Sequence, residues 1–277
     1  MSNAPQQPDD HPAPAPDEPL VRLVNVSKSF GSLHVLRGLD LDIKPGEVTV
    51  VLGPSGTGKS VLLKHVVGLL KPDEGEVYFR GRRVDTMGAA ELVEIRRDMG
   101  FLFQMGALFD SMTVGDNVAF PLREHTDDGL AERRERVERV LEMVGLPGIQ
   151  AKMPAELSGG QRKRVALARA VVLHPSLVLY DEPTTGLDPI RADVINELIL
   201  ALNQKLGITS IVVTHDIASA NKIADRLVLL YDGRIICDGD RETFAQTENE
   251  LVQRFMQGQA DREDLEAIRQ GFERLAP

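Results

Sequence analysis

Apolar and polar positions alternate near the start of the chain in a way that predicts β-strands. Residues 20–26 and 39–43 each alternate, as a strand with one buried face does. Residues 47–52 form a short apolar run, which is typical of a more deeply buried strand. Pro45 and Gly46 indicate a turn between the last two segments. We therefore predict three strands in this part of the chain.

Helical spacing begins after the third predicted strand and a glycine-rich turn. Four apolar residues recur there at helical intervals: Val61, Leu62, Val66 and Leu69. Further buried strands, with helical stretches between several of them, are predicted at residues 100–103, 177–180, 210–213 and 226–231. Strands that alternate with helices predict an α/β fold with a largely parallel sheet.

The region from about residue 110 to 158 departs from this alternation. A helix is predicted at residues 130–144, with one apolar stripe that consists of Val137, Val140, Leu141 and Val144. The Glu and Arg residues between them alternate in sign, which is typical of a solvated helix face. We therefore predict a helical subdomain, at about residues 106–165, inserted into the α/β core.

Both ends of the chain differ from the predicted domain at residues 20–247. Residues 1–19 contain six prolines and several acidic residues, a composition that predicts a disordered tail. Residues 248–277 are predicted to form a C-terminal helical extension, with an apolar stripe that consists of Leu265, Ile268, Phe272 and Leu275. This extension either packs back on the chain's own core or reaches another subunit.

Charge and composition restrict the partners of the chain. Its 277 residues include 32 Lys and Arg and 42 Asp and Glu, which gives a formal net charge of −10 and disfavours nucleic acid. Cys237 is the one cysteine, so no internal disulfide is possible and a reducing compartment is expected. No apolar run approaches about 18 residues. Another chain would therefore have to hold this protein at a membrane.

A glycine-rich turn carries the strongest chemical signal. Residues 53–60 fit the pattern G-x-x-x-x-G-K-[ST] between a predicted strand and a predicted helix. The glycines let backbone N–H groups surround phosphate oxygens, and the helix N-terminus adds positive partial charge. Lys59 can reach the β- and γ-phosphates, and the hydroxyl of Ser60 can ligate Mg²⁺. The predicted nucleotide-binding residues here are Gly53, Pro54, Ser55, Gly56, Thr57, Gly58, Lys59, Ser60 and Val61.

Two acidic residues follow the predicted strand at 177–180. Neighbouring strand residues point to opposite faces, so Asp181 and Glu182 can take different tasks. We predict that Asp181 holds Mg²⁺, directly or through water, and that Glu182 polarises the water that attacks the γ-phosphate. Without a phosphate loop the pair would be a weak signal, because buried strands often end in an acidic turn residue.

A second glycine-rich turn precedes another amphipathic helical pattern. Leu157 is followed by Ser158, Gly159, Gly160 and Gln161. A serine and two glycines at a helix N-terminus form an anion site, although an N-cap serine alone would also explain them. One nucleotide does not need two phosphate cradles. A head-to-tail dimer, in which one subunit's cradle covers the nucleotide of the other, explains the surplus.

These motifs, in this order, resemble the nucleotide-binding subunit of ABC transporters over about residues 20–245. The resemblance implies a P-loop NTPase core of the RecA type, with a mostly parallel sheet, an antiparallel β part at the N-terminus and an inserted helical subdomain. Residues 157–161 match the signature sequence of the family. The implied activity is hydrolysis of ATP with Mg²⁺ in a homodimer.

The resemblance also implies roles for four residues outside the phosphate loop. Phe30 resembles the aromatic residue that stacks on adenine, where many cassettes have Tyr, and stacking does not need the hydroxyl. Gln104 resembles the glutamine that links Mg²⁺ to the membrane subunit. Asp188 lies in a loop similar to the one that crosses the dimer interface, and His215 resembles the switch histidine at the γ-phosphate. The predicted catalytic residues are Lys59, Gln104, Glu182 and His215.

Residues 103–126 narrow the resemblance to the ATPases of Mla/Mce-type lipid transport systems, and residues 254–258 are similar to the same branch. The resemblance implies movement of phospholipid between the inner and outer membranes, with the chain at the cytoplasmic face of the inner membrane. The implied partners are permease subunits, an MCE-domain lipid-binding protein and, as a further candidate, a STAS-domain regulator. Two alternatives stay open, a small-solute importer and a soluble ATPase that acts on ribosomes or DNA.

The segment from Gln104 to His125 is predicted to dock the permease. Leu108, Phe109 and Met112 offer apolar anchors directly after Gln104, where an amphipathic helix of a permease could lie.

Overall fold

The computed structural model describes residues 18–260 and Glu266. In this part of the chain the strands are β1 (Val21–Phe30), β2 (Leu33–Ile43), β3 (Val48–Leu52), β4 (Glu74–Phe79), β5 (Arg82–Arg83), β6 (Met99–Leu102), β7 (Leu177–Asp181), β8 (Thr209–Thr214), β9 (Arg226–Tyr231) and β10 (Arg234–Gly239). The α-helices are α1 (Lys59–Val66), α2 (Ala89–Arg96), α3 (Val114–His125), α4 (Leu130–Met143), α5 (Gly159–Val171), α6 (Pro189–Leu206), α7 (Ile217–Ile223), α8 (Arg241–Gln246) and α9 (Glu250–Met256). None of these described helices is both long and apolar enough to span a bilayer.

The strands form two sheets with different hydrogen-bond patterns. The smaller sheet has the order β2-β1-β4-β5, and each neighbouring pair is antiparallel. The larger sheet has the order β10-β9-β3-β8-β7-β6, and its pairs are parallel apart from β9 with β10. The predicted α/β fold, with a mostly parallel sheet and an antiparallel part near the N-terminus, is confirmed.

Alternate residues of the parallel strands face two separate apolar clusters. Val51 of β3 packs in a cluster with α1 and the antiparallel sheet. Val48, Val50 and Leu52 pack on the opposite face with α5, α6 and α7. Because both faces are buried, these strands need nearly continuous apolar runs, which is the pattern from which they were predicted.

Helices α3, α4 and α5 enclose a third apolar cluster. Val137, Val140 and Leu141 of α4 pack there against side chains of α3 and α5. The apolar stripe predicted for residues 130–144 is therefore a buried helix face. This cluster gives the helical region a core of its own, beside the two clusters that flank the parallel sheet.

Helix α1 is shorter than its apolar pattern predicts. It ends at Val66, and Gly68 follows with a left-handed φ of 65°. The amides of Leu69 and Leu70 both donate to the carbonyl of Lys64, which closes the helix end. Leu69 is 52% exposed, so its assignment to the apolar face of this helix is wrong.

The C-terminal extension is described only in its first part. Helix α9 packs on the second apolar cluster through Val252, Phe255 and Met256, so this part folds back on the chain's own core. The predicted stripe lies outside the described residues, as does the tail at residues 1–17. That stripe consists of Leu265, Ile268, Phe272 and Leu275.

Candidate nucleotide-binding site

A cleft of about 460 Å³ opens where four parallel strands end. Strands β6, β7, β8 and β3 are adjacent, so the residues that follow them meet at one edge of the sheet. The cleft is lined by Phe30, Val35, Ser55, Gly56, Gly58, Lys59, Ser60, Val61, Gln104, Glu182 and His215. All of these except Val35 are predicted site residues. Val35 was missed because an apolar residue in a strand carries no signal of its own for a site.

The turn between β3 and α1 brings its backbone into the cleft. Gly58 caps α1 with a φ of 99°, and a Cβ there would lie 2.8 Å from Cγ1 of Val35. A Cβ on Gly53 would lie 2.3 Å from the carbonyl oxygen of Leu230. Both positions therefore need glycine. The close turn leaves the first amides of α1, which have no acceptor within the helix, available to an anion.

Lys59 lies folded against this turn. Its side chain is 6% exposed, and Nζ donates to the carbonyls of Gly53 at 2.7 Å and Pro54 at 2.9 Å. Oε1 of Glu182 lies 3.7 Å from the same Nζ. Burial lowers the pKa of the ammonium, and the charge of Glu182 opposes this shift. A phosphate in the turn would give the buried ammonium a second charged partner.

Ser60 and Asp181 meet beside the cleft. The hydroxyl of Ser60 donates to Oδ1 of Asp181 at 2.7 Å. Burial raises the pKa of the Asp181 carboxyl, and the bond from Ser60 opposes the rise. These hard oxygens suit Mg²⁺, and no described residues form a cluster of three or more His, Cys, Asp and Glu side chains. The donor set fits an ion that arrives with nucleotide phosphates and water.

The carboxylate of Glu182 is held by three side chains. Its backbone has a left-handed φ of 49° directly after β7, which turns the residue out of the strand. Oε2 accepts from the hydroxyls of Thr185 at 3.1 Å and Thr214 at 3.4 Å. Nδ1 of His215 lies 2.9 Å from the same oxygen. Sequence reasoning missed both threonines, because a hydroxyl beside an acidic or histidine residue is common in turns.

Phe30 and Gln104 complete the cleft from exposed positions. Phe30 ends β1, is 48% exposed, and lies under Nζ of Lys28 at 5.7 Å from the ring centroid. Gln104 follows β6 in an exposed turn. Both residues therefore line the cleft from separate elements, and their contacts with adenine and with Mg²⁺ stay predictions.

The signature turn at residues 158–161 lies outside this cleft. Ser158 caps α5, where its Oγ accepts from the amide of Gln161 and its own amide donates to Oε1 of Gln161. Asp188 caps α6 in the same way, with its Oδ1 accepting from the amide of Arg191. One chain does not bring Ser158, Gly159, Gly160, Gln161 or Asp188 to its own cleft.

The predicted docking segment is an exposed turn followed by α3. Phe103, Met105 and Phe109 are 38%, 85% and 41% exposed. Leu108 instead packs between the second and third apolar clusters, so it is a core contact and not an exposed anchor. Met112 is half-buried. The exposed apolar surface therefore begins at Phe103, before the residues predicted to form it.

A phosphate turn between a strand and a helix, with an acidic pair at the end of a neighbouring strand, defines a P-loop NTPase. The family described as ABC transporter matches residues 36–185. The chain belongs to the ABC transporter family, as its ATP-binding subunit. The predicted resemblance and fold are confirmed.

Proteins similar to this chain match it over most of its length. The Haemophilus influenzae protein named "Intermembrane phospholipid transport system ATP-binding protein MlaF" is 44% identical over 242 residues, which are 87% of this chain and 92% of that protein. The Mycobacterium leprae protein named "Probable ribonucleotide transport ATP-binding protein mkl" is 44% identical over 238 residues, 86% of this chain and 69% of that protein.

Solved structures of ATP-binding cassettes share the fold. One is the dimeric post-hydrolysis structure of the cassette MJ0796 bound to ADP and Pi, with a TM-score of 0.74 and 38% identity. The match covers 79% of this chain and 98% of that one. The structure of the cbiO1 protein of Clostridium perfringens has a TM-score of 0.76 and 33% identity. The match covers 83% of this chain and 92% of that one. The chain is therefore an ATPase of the cassette type.

Proposed function

We propose that this chain is the motor subunit of an ABC transporter that moves phospholipid between the inner and outer membranes. The observation that carries the proposal is the 44% identity with the Haemophilus influenzae protein MlaF over 92% of that protein's length. The Escherichia coli K12 protein of the same name supports it at 41% identity over 90% of its length. In this proposal the chain lies at the cytoplasmic face of the inner membrane, attached to permease subunits.

Binding of ATP uses the groups that line the cleft. The first amides of α1 and the ammonium of Lys59 hold the phosphates, with the remaining loop residues Gly53–Val61 around them, and Phe30 stacks on adenine. Ser60, Asp181 and Gln104 would hold Mg²⁺, which supplies positive charge at the β- and γ-phosphates when it is bound. The cleft supports these roles, because it is lined by the loop residues, Phe30 and Gln104, and the Ser60 hydroxyl lies against Asp181.

Hydrolysis depends on the carboxylate of Glu182. Its Oε2 already accepts two hydroxyl bonds and lies 2.9 Å from Nδ1 of His215, so the carboxylate is held in place at the cleft. Glu182 accepts a proton from the attacking water, and His215 is placed to contact the γ-phosphate. These hydrogen bonds hold the carboxylate in one orientation, which is what general-base catalysis needs.

A second copy of the chain completes each site. The turn formed by Ser158, Gly159, Gly160 and Gln161, together with Asp188, lies outside the chain's own cleft although it has the geometry of an anion site. A head-to-tail dimer would bring this turn to the nucleotide of the partner. The dimeric cassette structures similar to this chain support that arrangement.

The permease is proposed to dock on the surface that begins at Phe103 and includes Met105 and Phe109. Arg169 of α5 holds this surface, because it donates to the carbonyls of Gly106 and Ala107 at 2.9 and 2.8 Å. The turn therefore joins the helix that starts at the signature turn to the segment that follows Gln104. Closure of the dimer would move this surface and the permease with it.

Phe109→Asp is expected to weaken co-purification of the permease by about tenfold or more, because a carboxylate would replace an apolar group in a desolvated contact. ATP binding by the same variant should remain at the wild-type level. Val93 on α2 has a similar exposure of 49% and supplies the matched control Val93→Asp. Unchanged co-purification in Phe109→Asp would remove the docking surface.

The transport substrate is tested by purifying the tagged chain from the membranes of its native host after gentle solubilisation. Mass spectrometry is expected to find permease subunits, an MCE-domain protein with bound phospholipid and, as a further proposed partner, a STAS-domain protein. A solute permease and no MCE-domain protein would contradict the lipid proposal while leaving the ATPase in place.

A second candidate is the ATPase of an importer for a small polar solute. It is favoured by the 44% identity with the Mycobacterium leprae protein named for ribonucleotide transport. The same purification separates the candidates, because this one requires a solute permease and no bound phospholipid.

A further inference from the structure

Lys163 is a buried cation on the helix that starts at the signature turn. Its side chain is 6% exposed. Nζ donates to the carbonyls of Glu182 at 3.3 Å, Pro183 at 2.7 Å and Thr185 at 2.7 Å. Within the described part of the chain, the side chain of Lys163 donates to these three carbonyls and to no other acceptor.

The three carbonyls belong to one tight turn. Glu182 begins it with a left-handed φ of 49°. Thr185 ends it, where its amide donates to the carbonyl of Glu182 at 3.3 Å and its hydroxyl to the Glu182 carboxylate at 3.1 Å. Lys163 therefore binds both the residue that carries the carboxylate and the residue whose hydroxyl orients it.

Keeping a cation at this position has a physical cost. Burial lowers the pKa of the Lys163 ammonium to about 8, and the charge of Glu182 opposes the shift. Two short bonds, to the carbonyls of Pro183 and Thr185, and a longer one to the carbonyl of Glu182 offset the lost hydration, because bonds from a charged donor are stronger than neutral ones. An apolar residue would pack here without the cost of burying a charge. The bonds from Lys163 to the carbonyls of Glu182, Pro183 and Thr185 therefore indicate that this lysine holds the turn in its shape.

We propose that Lys163 is a positioning residue that fixes the turn at residues 182–185 and thereby aims the Glu182 carboxylate into the cleft. It acts only through Glu182, so the inference rests on the proposed role of Glu182 in activating water. Lys163 does not line the cleft, and its ammonium donates to the carbonyls of the turn instead.

The test compares Lys163→Met with Arg164→Met in the full-length chain. Arg164 is the matched control, because it lies on the same helix and also donates to two carbonyls, those of Val144 and Gly145, away from the cleft. Lys163→Met is expected to lower kcat for ATP hydrolysis on the order of 10- to 100-fold, as misplaced catalytic groups do, with KM for ATP changed less than about twofold. Arg164→Met should have the wild-type kcat when the rate is calculated per folded molecule.

Lys163→Gln is a second variant that can be measured if Lys163→Met does not fold. It also measures how much of the lost kcat a hydrogen-bonding side chain restores. Its amide still donates to two carbonyls, so this variant should recover part of the lost kcat. A Lys163→Gln variant with kcat no higher than that of folded Lys163→Met would contradict the proposal. A wild-type kcat in folded Lys163→Met would overturn it as well.

The Glu182→Gln background separates a positioning role from a general loss of structure. If Lys163 acts through Glu182, adding Lys163→Met to Glu182→Gln lowers kcat no further. If Lys163→Met lowers kcat by the same factor in both backgrounds, the inference is overturned and the role of Glu182 stays intact. A near-normal kcat in Glu182→Gln alone would instead remove the proposed role of Glu182, and the inference with it.

Discussion

Glu182→Gln is expected to lower kcat for ATP hydrolysis by about 10²- to 10⁴-fold, the usual contribution of a general base. Glutamine has the shape of glutamate, so its carbonyl oxygen can still accept from Thr185 and Thr214. The amide cannot accept a proton from water, and this loss should account for the change in rate. ATP binding should persist, since the variant removes a negative charge near the phosphates and leaves Lys59 in place.

The measurement is single-turnover release of phosphate together with the binding of ATP. Glu76→Gln is the matched control, because Glu76 is paired with Arg83 in the antiparallel sheet, away from the cleft. A rate within a few fold of wild type in Glu182→Gln would assign the base to another residue.

Lys59→Met and Gly159→Asp are each expected to leave only residual hydrolysis, and a mixture of the two variants is expected to restore it. Loss of Lys59 removes a charged donor to the phosphates, which costs on the order of 10²- to 10³-fold. Asp at position 159 places a carboxylate at a helix N-terminus, where it suits the fold but repels phosphate. The fold tolerates a side chain there, because a Cβ on Gly159 meets nothing closer than 3.9 Å.

Restoration follows from the geometry of a head-to-tail dimer. In a mixed dimer both changes fall in one site, and the other site keeps an intact Lys59 and an intact signature turn. Half of randomly formed dimers are mixed, so independent sites would give about a quarter of the wild-type rate.

The control for this experiment is the double variant Lys59→Met with Gly159→Asp. Mixed with either single variant it forms no intact site, so hydrolysis should stay residual. If the two single variants also stay inactive together, the signature turn does not act on the partner's nucleotide.

Most strands of the larger sheet were predictable because their sequence pattern is local and strong. β7 (Leu177–Asp181) and β8 (Thr209–Thr214) are buried on both faces, so almost every position in them must be apolar or small. The prediction missed β4 (Glu74–Phe79) and β10 (Arg234–Gly239) because both mix charged and apolar residues. These strands are stabilised by pairing with a neighbour, and a single segment does not carry that information.

The candidate site was predictable wherever its residues are close in sequence. The phosphate turn and the acidic pair are short motifs whose chemistry depends on adjacent residues, and both sequence segments reach the cleft. Lys163 could not be predicted, because a lysine in the second turn of a helix, here the fifth residue of α5, is most often solvated. Its burial depends on how α5 packs against the end of β7, which is a contact across 20 residues of sequence.

The order of amino acids alone predicts the local elements of the chain, which are the alternating and buried strands, the phosphate turn and the helix that it opens. Side-chain period and glycine placement act over a few residues, so they can be read directly. The three-dimensional packing of the chain is what brings Phe30, Gln104, Glu182 and His215 to one cleft. The reason is physical: their meeting depends on the order in which β3, β8, β7 and β6 pair, and pairing order is set by the packing of the whole sheet.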